Sequence, residues 1–107
     1  MAEYRVCSTT DVAAGSVVGF ELHLAEDQKL AVAIIQSEKG NWFATHNQCT
    51  HGRVKLSDGW LEEETIECSR HGAVFDLASG DVMSLPATQK LTTYPVRVDG
   101  DNVYITV

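Results

Sequence analysis

Two short hooks each pair one thiol with one imidazole: Cys49-Thr50-His51 and, sixteen residues later, Cys68-Ser69-Arg70-His71. No other feature constrains the fold so tightly, because a shared centre would force two separate segments to meet. Soft thiolates and borderline imidazoles suit iron or zinc. The glycines directly after both histidines, Gly52 and Gly72, permit tight turns and let backbone amides approach a cluster closely. The gap is long enough for a loop out, a turn at Ser57-Asp58-Gly59 and a strand back to Cys68.

Iron and zinc part company on spacing. Tetrahedral Cys2His2 is a common zinc set, but zinc fingers separate paired ligands by two or more residues and pair like with like. Cys49-x-His51 does neither. A [2Fe–2S] centre with two thiolates on one iron and two imidazoles on the other takes one ligand of each kind from each hook. A lone Cys or His is usually core or surface, yet two matched pairs within 23 residues are hard to obtain by chance. The iron–sulfur centre leads, and a zinc-stabilised binding module without redox chemistry is its rival.

Composition narrows the setting. A chain of 107 residues holds one small domain with a single core. The longest apolar run, LAVAII at 30–35, is far short of the roughly 18 residues a transmembrane helix needs. The opening MAEYRVCSTTDV lacks a basic region followed by an apolar stretch, so the expected setting is cytoplasmic, with no membrane anchor. Three cysteines suit that compartment, where reduced thiols serve metals more often than disulfides. Cys7, outside the hooks, reads as a small buried hydrophobe. Eight basic against fifteen acidic residues leave a net charge of −7, which argues against nucleic acid and anionic membrane as partners.

Strand signals run through both ends of the chain. Residues 4–7, 16–24 and 30–35 read as strands, and Lys39-Gly40-Asn41 turns the chain into a further one at 42–45. Tyr94, Val96 and Val98 alternate with polar partners before a turn at 99–102 and a final strand at 103–107. From His46 to about Leu85 turn residues crowd in, including Asn47, Ser57-Asp58-Gly59, Ser79-Gly80 and Ser84, around short apolar pieces at 65–67 and 74–77. No helix, internal repeat or low-complexity segment stands out. The expectation is an all-β protein in which an antiparallel β-sandwich base (1–45 and 86–107) carries a small loop-rich subdomain (46–85). Glu62-Glu63-Glu64 reads as a solvated face. His23 and His46 read as structural rather than as ligands, since neither has a second ligand nearby.

Over essentially its whole length the chain resembles the Rieske family, whose motif is C-x-H, a gap of sixteen or so, then C-x-x-H. NQCTHG at 47–52, LSDG at 56–59, IEC at 66–68, HGA at 71–73, FD at 75–76, SG at 79–80 and TYPV at 93–96 are all similar to the soluble Rieske ferredoxins. The resemblance implies a Rieske-like fold with residues 46–85 binding the cluster, and one [2Fe–2S] cluster held by Cys49, His51, Cys68 and His71. It also implies that a segment near Ser84-Leu85-Pro86 closes over the cluster. In high-potential relatives each hook carries an extra cysteine, and the two form a disulfide; Val54 and Arg70 stand at those places here. Hydroxyl donors of those relatives are replaced by Ala73 and Phe75. Lost hydroxyl donors disfavour the reduced cluster, so the expected potential lies near the low end of the Rieske range, about −150 mV.

The function implied is that of a ferredoxin component of an aromatic-ring dioxygenase system, an electron carrier and not an enzyme. It would be a monomer taking electrons from an NADH-dependent, flavin-dependent ferredoxin reductase and relaying them to a terminal oxygenase. Arg53, Lys55 and Arg70 beside the hooks would form a basic tip for docking and for balancing the reduced cluster. The alternative within the family is the small subunit of an assimilatory nitrite reductase, whose members often lack cluster ligands that are all present here. A complete oxygenase is not expected, since two histidines are already spent and 107 residues leave no room for an open two-His-one-carboxylate iron site and its substrate domain.

Overall fold

In the computed structural model, which describes residues 2–25, 27–48, 55–69, 73–84 and 90–107, the LAVAII run sits at the heart of the architecture. In chain order the strands are β1 (Glu3–Ser8), β2 (Ser16–Ala25), β3 (Gln28–Gln36), β4 (Trp42–His46), β5 (Trp60–Glu62) and β6 (Thr65–Glu67). They continue as β7 (Val74–Asp76), β8 (Val82–Ser84), β9 (Thr93–Tyr94), β10 (Val96–Asp99) and β11 (Asn102–Thr106). Three antiparallel sheets result, ordered β1-β11-β10, β2-β3-β4-β9 and β5-β6-β7-β8.

The second sheet lies between the other two, and β3 shows why. Successive side chains of a strand point to opposite faces. Val32 and Ile34 join Cys7, Leu22, Ala44, Val103 and Ile105 in the core against the first sheet. Ala33 and Ile35 join Leu56, Ile66, Cys68, Ala73, Phe75, Leu77 and Leu91 in a separate core against the third sheet. A strand buried on both faces reads as a continuous apolar run, as LAVAII does.

The outer sheets are held differently. The first sheet is the return of both chain ends, with β1 and β10 flanking β11. Arg97 grips Glu3 through two hydrogen bonds of 2.8 Å each and lies 4.5 Å over the Tyr104 ring. The third sheet lies within the expected loop-rich middle, and its β6 and β7 fall on the short apolar pieces at 65–67 and 74–77. Its strands are only two to three pairs long in register, too short for alternation to be legible. At one end Glu64 pins it to the β3–β4 turn, accepting hydrogen bonds from Ser37 Oγ at 3.3 Å and from Asn41 Nδ2. The expected solvated face therefore holds for Glu62 and Glu63 but not for Glu64, whose carboxylate joins two sheets. At the other end of the third sheet are Cys68 and Ala73. Among the described residues no helix is long and apolar enough to cross a membrane.

Candidate metal centre

Cys68 follows directly on β6 and closes it. Its amide donates to the Ala73 carbonyl at 2.7 Å, which extends the β6–β7 pairing by one step. The side chain is 1% exposed and shares its core with Leu56, Ala73 and Phe75. Ile66 and Phe75 form a cross-strand pair two steps further into the sheet, which anchors the hairpin behind Cys68. A cysteine set in an apolar shell at a hairpin end suits a cluster ligand. Burying an unpaired thiolate would be costly, whereas iron compensates its charge.

The first hook leaves from β4. His46 ends that strand, its amide donating to Thr92 O at 3.0 Å, and Asn47 prolongs the ladder by donating to Ala31 O at 2.9 Å. Cys49 and His51 lie outside the described residues, as do His71, Arg53, Arg70, Gly52, Gly72, Val54 and Pro86. The chain is described again from exposed Lys55, followed by the short 3₁₀ helix Leu56–Asp58 with Leu56 fully buried. Of the four expected ligands the structure thus describes Cys68 alone. Among the described residues no three His, Cys, Asp or Glu side chains gather to hold a metal ion. The donor set itself, two thiols and two imidazoles split evenly between two hooks of the sequence, fits a two-iron centre better than one zinc ion.

Other candidates fall away from this end. Cys7 lies in the opposite core, where burial, aided by Asp11 and opposed by Arg5, pushes its thiol up to about 11. It stays protonated and behaves as a small hydrophobe. His23 is an exposed side chain 3.9 Å from Glu21 on β2. His46 is half-buried at the end of β4.

Two residues near the first hook were legible in the sequence only as turn formers. Asn47, 7% exposed, donates from Nδ2 to Ser57 Oγ at 3.0 Å and accepts from the Ser57 amide at 2.8 Å through Oδ1. The signal was an Asn two places before the first cysteine and a Ser ten places further on, a pairing that spacing alone does not announce.

Residues 2–95 match the Rieske [2Fe-2S] domain. The ferredoxin component of the naphthalene 1,2-dioxygenase system of Pseudomonas aeruginosa is 38% identical over 89% of this chain and 86% of its own length. The 3-phenylpropionate/cinnamic acid dioxygenase ferredoxin subunit of Shigella boydii is 45% identical over 62% of this chain. That match spans 63% of the relative, less than two thirds of its length. Among solved structures, Sphingomonas yanoikuyae B1 ferredoxin superposes with a TM-score of 0.84 at 33% identity, covering 97% of both chains. A chain in the complex of reduced oxygenase and oxidized ferredoxin in carbazole 1,9a-dioxygenase gives 0.83 at 30% identity, over 96% of this chain and 100% of that one. A nitrite reductase small subunit from Mycobacterium tuberculosis shares the fold, with a TM-score of 0.82 at 19% identity over 97% of this chain and 93% of that one. A match along nearly the whole chain, together with the paired Cys–His hooks, leads to one conclusion: this protein belongs to the Rieske [2Fe-2S] domain family and carries a [2Fe–2S] cluster of that type.

Proposed function

We propose that the chain is the ferredoxin component of an aromatic-ring dioxygenase system, a one-electron carrier that catalyses no reaction of its own. The observation that carries this is the near full-length similarity to the naphthalene dioxygenase ferredoxin component, at 38% identity. In this reading Cys49, His51, Cys68 and His71 hold the cluster, residues 46–85 form the cluster-binding part, and 1–45 with 86–107 form the base. A flavin-dependent reductase supplies electrons from NADH, a terminal oxygenase receives them, and the carrier works as a cytoplasmic monomer.

The cluster, when bound, accepts and releases single electrons. The rest is done by the chain. Cys68 sits in a dry apolar shell, with Ala73 and Phe75 fully buried beside it, so no hydroxyl from either position can favour the reduced state. Trp60, which pairs with Glu67 immediately before Cys68, and Met83 are each 58% exposed. Exposed apolar side chains beside a redox centre suit the small transient contacts of electron carriers. The net charge of −7 favours partners with basic surfaces, and exposed Lys55 orients docking at the tip.

The test is electrochemical. Purified holoprotein should show the two-Cys, two-His [2Fe–2S] spectrum and a midpoint potential near about −150 mV, while Cys49→Ser or Cys68→Ser abolishes both signals. A potential above about +100 mV would sink the low-potential carrier, being closer to the upper Rieske range.

A further inference from the structure

The 3₁₀ helix Leu56–Asp58 and the Gly59 that ends it touch the chain just before each of the two hooks. Toward the first hook, Asn47 and Ser57 form a two-bond clamp of 3.0 and 2.8 Å that closes residues 48–56, the stretch carrying Cys49 and His51. Toward the second, Gly59 lies against the backbone of Glu67, the residue before Cys68. A Cβ at Gly59 would stand 2.1 Å from the Glu67 carbonyl oxygen. Between these contacts Leu56 is fully buried in the same core as Cys68 and Ala73. Strand β2 makes room for the clamp with a glycine: a Cβ at Gly19 would lie 2.5 Å from Asn47 Nδ2 and 2.9 Å from Ser57 Oγ.

The Asn47 primary amide, at 7% exposure, spends both a donor and its acceptor on Ser57, so the pairing ties the two positions together and satisfies buried polar atoms on each side. Removing it leaves the Ser57 amide and hydroxyl without their partner and frees both ends of the loop at once. Metal sites depend on such outer contacts to orient their ligands. We propose that Asn47 and Ser57, backed by Gly19, are positioning residues that set the spacing between the two ligand hooks. They thereby control how firmly the cluster is held and the electronic environment it experiences. This rests on the assignment of Cys49 and His51 as ligands.

The experiment compares holoprotein with Asn47→Ala, Ser57→Ala, Gly19→Ala and Cys49→Ser. Three properties are read: loss of cluster absorbance under a ferrous chelator, the EPR g-values and midpoint potential of the cluster, and the far-ultraviolet melting of the β-sheets. Asn47→Ala, just beyond β4, and Gly19→Ala, on β2, disturb the clamp from different sides and should release the cluster about tenfold faster or more and displace the g-values together. Ser57→Ala keeps its amide donation to Asn47 Oδ1 and should fall between these and wild type. The sheets should melt as in wild type. If all three variants keep wild-type lifetime, g-values and potential, or lose the cluster only as the whole fold melts, the clamp is not a positioning device. Should Asn47→Ala fail to fold, Ser57→Ala, the milder change, decides. Cys49→Ser tests the ligand assignment separately. A cluster retained in that variant refutes the assignment, whereas its loss alongside unchanged clamp variants refutes only the clamp.

Discussion

The second and third sheets solve the same problem with very different means. In the second, β2 and β3 pair along almost their whole length, from Ser16 opposite Gln36 to Ala25 opposite Gln28, and β3 is buried on both faces. In the third, β5, β6 and β7 are three residues each, and the β7–β8 ladder is broken by a bulge. Its order comes from side chains and turns: Phe75 and Ile66 in the core, Glu64 at one end, the Cys68–Ala73 bond at the other. Long ladders tolerate the loss of one contact, whereas a sheet of short strands depends on a few. The part of the molecule nearest the metal centre is therefore the part with least backbone redundancy.

Three substitutions would break or sharpen that contrast. The largest effect belongs to Phe75→Ala, which empties the middle of the third sheet's core and should cost about 3–5 kcal/mol. Melts followed by cluster absorbance and by far-ultraviolet dichroism should separate in this variant, with the cluster lost first. Coincident melts would mean that the two cores behave as one cooperative unit. Glu64→Ala is next, since it removes the acceptor that ties the third sheet to the β3–β4 turn. A loss of about 1 kcal/mol in denaturant unfolding is expected, with the cluster spectrum unchanged because Glu64 lies at the end of β6 away from Cys68. No loss would show that the third sheet is held by its core alone.

The smallest effect concerns the opposite core. The Cys7 thiol, pushed up to about 11 in the fold, keeps its proton where an unfolded cysteine, near pH 9, has lost it. The folded state then binds more protons between about pH 9 and 11, so stability is full below that window and falls as pH rises through it. Cys7→Ala should flatten this decline in a pH series of unfolding midpoints. An equally steep decline in the variant would assign it to other groups, such as Tyr94, whose hydroxyl burial also pushes upward.

Much of this was legible before any coordinates. LAVAII announced a buried strand, the turn at 99–102 announced the β10–β11 hairpin, and the two hooks announced the cluster. Those signals are local: an apolar run, a turn between alternating strands, a cysteine and a histidine two or three residues apart. The third sheet was legible only in the apolar pieces of β6 and β7, because three-residue strands hold too little alternation to rise above the turn residues around them. Glu64 was masked by its two acidic neighbours, which are exposed, while its own carboxylate reaches Ser37 and Asn41. The role of Asn47 was hidden for a related reason: an Asn near a turn is common, and its partner Ser57 is ten residues away.

By itself the sequence determined the chemistry of the centre, because ligand type and hook spacing are covalent properties of the chain, and it determined the all-β class through strand patterns at both ends. Only the tertiary structure decided how the hooks are held. It placed β3 between two cores, made Cys68 the end of a buried hairpin, and brought Asn47, Ser57 and Gly19 into one contact. The physical reason is that hydrogen bonding and close packing act between atoms a few ångströms apart, whatever their separation along the chain.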